Sequence, residues 1–328
     1  MFVRHRVAAF VALWLITAAA RAGVRIVSEP RPSGPAVIAE SAALYIGVQQ
    51  FPGDETLTPV KYAVDDAVDL AYLLSIERKP ALVSPDRIVL ALSGAPAKEE
   101  SKRRLEELRA AHATIAEARH EDILKLLRQQ ANAVGKNGLL IVSFSTHGIN
   151  DGGTQRLLSA SSLLQDPETS VTETKVREIV SRAQVPRSLI LIDACRERLT
   201  TDVRAGSASP RSAAVQLLQD LGNVNGQVIL SAAAAGQYAY DDDARGNGVF
   251  TAAVIEALQC AAPADPKGYV TAETLSRYVE GQVLAWIQKH RDPDARRATQ
   301  VSFEGRAALM PLSQCVSGTG SGPLPRMH

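Results

Sequence analysis

The sequence predicts an α/β fold with a mostly parallel central sheet flanked by helices, layered helix on sheet on helix. Two apolar runs carry the prediction, "GLLIVSF" at 138–144 and "SLILI" at 188–192; each is as continuous as a strand buried on both faces requires. Each run also ends abruptly in reactive polar residues, "STHG" after the first and "DACR" after the second. Between the strands lie segments with helical spacing, and in such alternating sheets ligands bind beyond the carboxyl ends of the strands.

The first strand is "ALYIGVQQF", ending at Phe51. After a polar loop, "VKYAVDDAVDLAYLLSIER" sets Ala63, Ala67, Leu70, Ala71 and Leu74 on one face of a helix. "RIVLAL" at 87–92 is the second strand. Residues 98–134 carry dense charge with Leu105, Leu108, Ile115, Ile123, Leu126 and Leu127 at helical intervals, which predicts one or two surface helices. His112 and His120 in that stretch read as solvated. The runs at 138–148 and 188–196 follow, and "GQVILSAAAAGQ" at 226–237 is a weaker third copy. Two helices close the fold, "GVFTAAVIEALQC" and "TAETLSRYVEGQVLAWIQKH", the second starting at a cap near Thr271.

Residues 1–22 have the layout of a secretory signal peptide. Arg4 and Arg6 precede an apolar stretch from Val7 to Ala20, and Ala20-Arg21-Ala22 is a small-x-small site. The stretch is 14 residues long, short of the ~20 a membrane helix needs. Cleavage after Ala22 and export to the periplasm or medium is the expectation, with retention as a membrane anchor the alternative. Loss of Arg4, Arg6 and Arg21 takes the formal charge from +1 to −2. Residues 23–40 read as an extended, proline-punctuated lead-in, 41–315 as one folded domain and 316–328 as a disordered tail. The near-neutral charge and the lack of a basic stripe interleaved with aromatics argue against a nucleic-acid partner. The glycines of the tail follow no strand and open no helix, so they form no dinucleotide fingerprint.

An exported chain with three cysteines leaves one unpaired. Cys260 and Cys315 both lie late in the chain, so a disulfide between them, with Cys195 as the free thiol, is one reading; three reduced cysteines is the other, because geometry rather than count decides pairing.

A thiol becomes a good nucleophile when a base can take its proton, and histidine is the usual base at neutral pH. His147 stands 48 residues before Cys195 and ends the same kind of strand. The two would face one another across neighbouring strand tips, with the N–H groups of Gly148 and Cys195 placed to hold an oxyanion. Strand alternation directs Ser145 with His147, and Asp193 with Cys195. The competing reading of Cys195 is a core cysteine, since the residue type is commonly buried.

"SFSTHG" followed by "LILIDACR" resembles the histidine and cysteine blocks of the caspase-like cysteine peptidases, above all metacaspases and their bacterial relatives. "YAVDDAVDLAYLL" resembles the segment after that family's first strand, and "GNGVFTAAVIEAL" its Gly-x-Phe-Thr helix. The resemblance spans roughly residues 40–290. It implies a caspase-like three-layer sandwich and a catalytic dyad of His147 as base and Cys195 as nucleophile. It also implies a pocket for a basic side chain lined by Asp66, Ser145 and Asp193, with Asp65 the alternate to Asp66. Asp66 also reads as an ordinary exposed acid near a helix start, where the dipole favours it.

The expected activity is therefore an exported cysteine endopeptidase cutting protein or peptide substrates after Arg or Lys, because a carboxylate at 193 repels acidic side chains and attracts basic ones. The alternative is an inactive binding or scaffolding module on the same fold. No organic cofactor is expected. Calcium activation is disfavoured: after the cysteine only Asp202 matches the family's acids, and Asp241-Asp242-Asp243 reads as a solvated loop. The polar stretch "RERLTTDVRAGSASPRSA" reads as an exposed loop, with Arg204 or Arg211 as expected self-cleavage points.

Overall fold

Seven apolar residues, "AALYIGV", are buried along their whole length and form β1 (Ala42–Val48), an interior strand of the main sheet. The computed structural model describes residues 34–151, 154–194, 197–198, 226–232, 239–291, 301–305 and 309–315. After β1 come α1 (Ala63–Tyr72), whose last turn continues in π geometry over Leu73–Glu77, then β2 (Ile88–Ser93), α2 (Glu99–Ala110), β3 (Thr114–Glu117) and α3 (His120–Ala133). The central part holds β4 (Leu140–Ser145), β5 (Gly148–Asp151), β6 (Thr154–Leu157), β7 (Val171–Thr172), α4 (Glu173–Arg182), β8 (Ser188–Asp193) and β9 (Glu197–Arg198). The chain continues through β10 (Gln227–Ser231), the pair β11 (Asp241–Asp242) and β12 (Asn247–Gly248), and α5 (Val249–Glu256). Last come β13 (Tyr269–Thr271), α6 (Ala272–His290), β14 (Ser302–Gly305) and β15 (Pro311–Gln314).

The main sheet runs β14-β10-β8-β4-β1-β2-β3. Its six strands from β10 to β3 are parallel, and β14 is added antiparallel at the edge. Parallel strands must be joined by crossovers, and the helices that make them cover both faces. Alternation along the strands sorts the core into two halves. Tyr45, Ile141, Leu189 and Leu191 pack with Val64, Phe250 and Leu275, on the side of α1, α5 and α6. Leu44, Ile46, Phe144, Ile190 and Ile192 pack with Ile123, Leu127, Val176 and Ile179, on the side of α3 and α4.

Two expectations change in detail. The stretch 98–134 is two helices with a strand between them, and Ile115 lies on β3 rather than on a helical face. β3 is a half-exposed edge strand of four residues, too short and too polar to break a helical periodicity. The turn before it passes through His112 at φ 69°, a left-handed conformation uncommon for non-glycine residues though less so for histidine. The helix starting near Thr271 has a reciprocal cap: Thr274 N–H donates to Thr271 Oγ1, and Thr271 N–H donates to Thr274 Oγ1.

Candidate active site

The strand register brings the two reactive tips together. β4 and β8 are parallel neighbours in which Ser145 is the partner of Asp193. Leu189 and Leu191 face the α1 side of the sheet, so alternation turns Asp193 to that side as well. Beyond the tips, β5 pairs with β9, with Ile149 opposite Glu197. His147 lies between β4 and β5; Cys195, between β8 and β9, lies outside the described residues.

Asp66 on α1 is 2% exposed, so it is not the exposed acid of a helix start. Its Oδ2 accepts from Ser145 Oγ at 2.8 Å, and its Oδ1 accepts from Asn247 Nδ2 and Gly248 N, both at 3.0 Å. Asp193 Oδ2 accepts from Thr251 N at 3.1 Å and Thr251 Oγ1 at 2.7 Å. Among the described residues no donor reaches Asp193 Oδ1. The two carboxylates flank Gly248 closely: a Cβ there would lie 2.2 Å from Asp193 Oδ2 and 3.1 Å from Asp66 Oδ2. Burial pushes the Asp66 carboxyl well above the usual carboxylate range, and the neighbouring Asp193 charge pushes it further. Burial likewise raises Asp193, to about 7; Asp241 adds to the rise, against the opposing Thr251 hydrogen bonds.

A cavity of about 150 Å³ opens onto these groups, lined among others by Asp66, Ser145, His147, Asp193, Tyr240 and Asp241. Among the described residues no cationic side chain hydrogen-bonds Asp66 or Asp193. An acidic, desolvated cavity with no counter-ion among the described residues favours a cationic occupant.

His147 sits at the rim. Its Nε2 lies 2.7 Å from the Thr58 carbonyl oxygen, and its ring stacks on Phe51 with centroids 5.1 Å apart. A carbonyl only accepts, so Nε2 carries the hydrogen and the neutral ring keeps Nδ1 as its acceptor. Gly148 begins β5, opposite Leu157.

The sheet register and the helix packing thus bring together Asp66, Ser145, His147, Gly148 and Asp193. Asp65 takes no part in the cavity: its carboxylate accepts from Ala97 N and Lys98 N, both at 2.9 Å, which ties it to the entry of α2. The run Asp241-Asp242-Asp243 is a correction, because it is not a simple solvated loop. It opens a hairpin in which Asp241 lines the cavity, Asp242 accepts from Ala244 N, and Asp243 pairs with Lys61 and Tyr62. Thr58, Asn247, Gly248 and Thr251 are additions, of which only the Gly-x-Phe-Thr stretch around Gly248 and Thr251 has a sequence signal. Cys195, Asp202, Arg204 and Arg211 lie outside the described residues, as do 1–33 and 316–328. Cys260 and Cys315 form a disulfide, which closes the alternative of three reduced cysteines. Among the described residues no helix is long and apolar enough to cross a membrane, and no group of three or more His, Cys, Asp or Glu could hold a metal ion.

The family model for the caspase domain matches residues 40–292. No curated protein matches the sequence. Among solved structures, caspase-1 from Spodoptera frugiperda is similar with a TM-score of 0.53 at 15% identity, over 88% of this chain and 96% of that one. A protein from Geobacter sulfurreducens is similar with a TM-score of 0.50 at 13% identity, over 84% and 99%. At these identities the likeness is one of fold.

Proposed function

The chain belongs to the caspase-domain family, whose members are cysteine peptidases, and from that premise we propose that it is an exported endopeptidase cleaving protein substrates after Arg or Lys. The observation that carries the specificity is the buried acid pair Asp66 and Asp193 beside His147, held by neutral donors and open to a cation. A guanidinium entering there gains two carboxylates and relieves their mutual repulsion, while an acidic side chain adds a third negative charge. Asp241 at the cavity wall adds to the attraction.

In the proposed mechanism the Cys195 thiol gives its proton to His147 Nδ1, the ring being held by Thr58 through Nε2. The thiolate sulfur bonds to the scissile carbonyl carbon, and the N–H groups of Gly148 and Cys195 receive the oxyanion. Collapse breaks the C–N bond, and the amine leaves with the imidazolium proton. Water, deprotonated by His147, then attacks the thioester and frees the acid with return of the thiol. These steps use side chains and backbone N–H groups of the chain together with water; neither calcium nor an organic cofactor enters. The Cys260–Cys315 disulfide supports export, since such bonds persist in oxidising compartments.

The test is hydrolysis of fluorogenic peptides ending in Arg, Lys or Asp by the chain from Gly23, with and without calcium, alongside Cys195→Ala. Cysteine-dependent cleavage after Arg and Lys, equal with and without calcium, is the expected result. Cleavage only after Asp overturns the pocket, and none at all leaves the fold a binding module. The same basic preference predicts self-cleavage at Arg204 or Arg211. Intact mass should show two fragments in active protein and one chain in Cys195→Ala; one intact chain in both contradicts this.

A further inference from the structure

Asn247 links the cavity to a lysine that does not line it. Its Nδ2 donates to Asp66 Oδ1 at 3.0 Å and to Asp69 Oδ2 at 3.2 Å, and its Oδ1 accepts from Lys98 Nζ at 2.7 Å. We propose that Lys98 is a positioning residue for recognition of the basic side chain, holding the β11–β12 hairpin so that Asn247 and Gly248 both aim their N–H groups at Asp66. This deepens the peptidase reading above and rests on it.

Amide chemistry makes the orientation depend on Lys98. Asn247 has one acceptor end and one donor end, and it sits among two carboxyl groups and an ammonium. With the ammonium on the oxygen, the NH2 faces the two carboxylates. Turned over, the amide would set its oxygen against the ionised Asp69 and its NH2 against Lys98, two unfavourable encounters, and would lose its N–H bond to Asp66.

Lys98 is itself fixed from several directions. Its backbone N–H donates to Asp65 Oδ1, and Ala97 N–H to Asp65 Oδ2. Its Nζ also lies 2.5 Å from Asp69 Oδ2 and 3.4 Å from the Arg245 carbonyl oxygen. Asp69 feels burial as an upward push on its carboxyl, but Lys98, Ser101 and Arg104 outweigh it and hold the group below the usual carboxylate range. The cation therefore faces a carboxylate that is ionised at neutral pH, and the pair is permanent there.

The hairpin rests on the lysine stem. Gly246 takes φ +67°, and a Cβ at that position would lie 2.5 Å from Lys98 Cδ. Gly248 and Asp241, the two cavity residues of the hairpin, are paired across it. Loss of the stem and its charge frees the Asn247 amide and the hairpin together, which weakens the grip on a basic side chain. It leaves His147 untouched, because that ring is held by Phe51 and Thr58.

The experiment compares wild type, Lys98→Met and Lys98→Arg on a fluorogenic arginine peptide, with iodoacetamide labelling of Cys195 as the readout of the thiol centre. Lys98→Met should raise KM about tenfold or more with kcat within about twofold, and should label at the wild-type rate. Lys98→Arg should recover most of the loss. If Lys98→Met fails to fold, Asn247→Ser, which keeps Lys98 paired with Asp69, should raise KM for the arginine peptide by a similar factor. Wild-type cleavage after arginine with an unchanged KM in the folded variant overturns this proposal alone. A wild type that does not cleave after basic residues overturns the peptidase reading, and this proposal with it.

Discussion

At the scale of single residues the site is a contest between burial and charge. Asp193 titrates at about 7 because it is buried near other acids, so the sign of its effect on stability is fixed. A carboxyl raised in the folded state contributes stability that is full below its unfolded value, about pH 4, and is lost as pH rises through 7. The free protein should therefore melt at a lower temperature at pH 8 than at pH 5, and Asp193→Asn should reduce that difference, leaving the share that the buried Asp66 contributes. The asparagine still has an oxygen to accept from Thr251, so the variant should fold, while its kcat/KM for arginine peptides falls by about 100-fold. Thermal melts across that pH range check the first part; a wild type equally stable at both ends contradicts it. Ser145 and Asp193 were legible in the sequence because both occupy strands, where alternation decides which side they face. The Thr58 carbonyl was not, because every residue carries one and only the path of the loop selects this one.

At the scale of elements, the β11–β12 hairpin and the start of α5 supply what the strand tips lack. Gly248 has an ordinary φ of −59°, so backbone freedom is not why glycine stands there. Space is the reason, with Asp193 Oδ2 2.2 Å from where a Cβ would be. Gly248→Ala must push one acid aside, and it should cut kcat/KM for basic peptides by about tenfold or more while Cys195 still labels with iodoacetamide. Activity kept at the wild-type level would mean the acids are not where the substrate binds. This element was only half legible: the Gly-x-Phe-Thr pattern marked a helix start, yet nothing in "DDDARGN" distinguishes an acid that lines a cavity from one that meets water. The strand β3 escaped for a related reason, since a short edge strand has no continuous apolar run to show.

At the scale of the molecule, the layering and the parallel sense of the main sheet were legible in the sequence because long buried strands need helices on both faces, whereas the strand order came only with the structure. The small sheet β7-β6-β5-β9 and the strands β13, β14 and β15 were not legible, being two to four residues each, too short to show a buried run. The disulfide joins the end of the π turn after α5 to the end of β15 across 55 residues. On the chain-entropy account, closing a loop of that length stabilises the fold by about 4 kcal/mol. Reduction should lower Tm by roughly 6 °C for a chain of this size and leave the acid pair in place. A melt unchanged by reductant would show that the bond contributes nothing to the fold.

The central claim is that a buried pair of acids selects a positive charge. Its most direct test compares kcat/KM for two peptides that differ only at the residue before the cut, arginine in one and citrulline in the other, which keeps the shape and loses the charge. The account predicts that arginine is preferred by about 100-fold or more, and that the preference collapses in Asp193→Asn. Equal rates for the two peptides would contradict it.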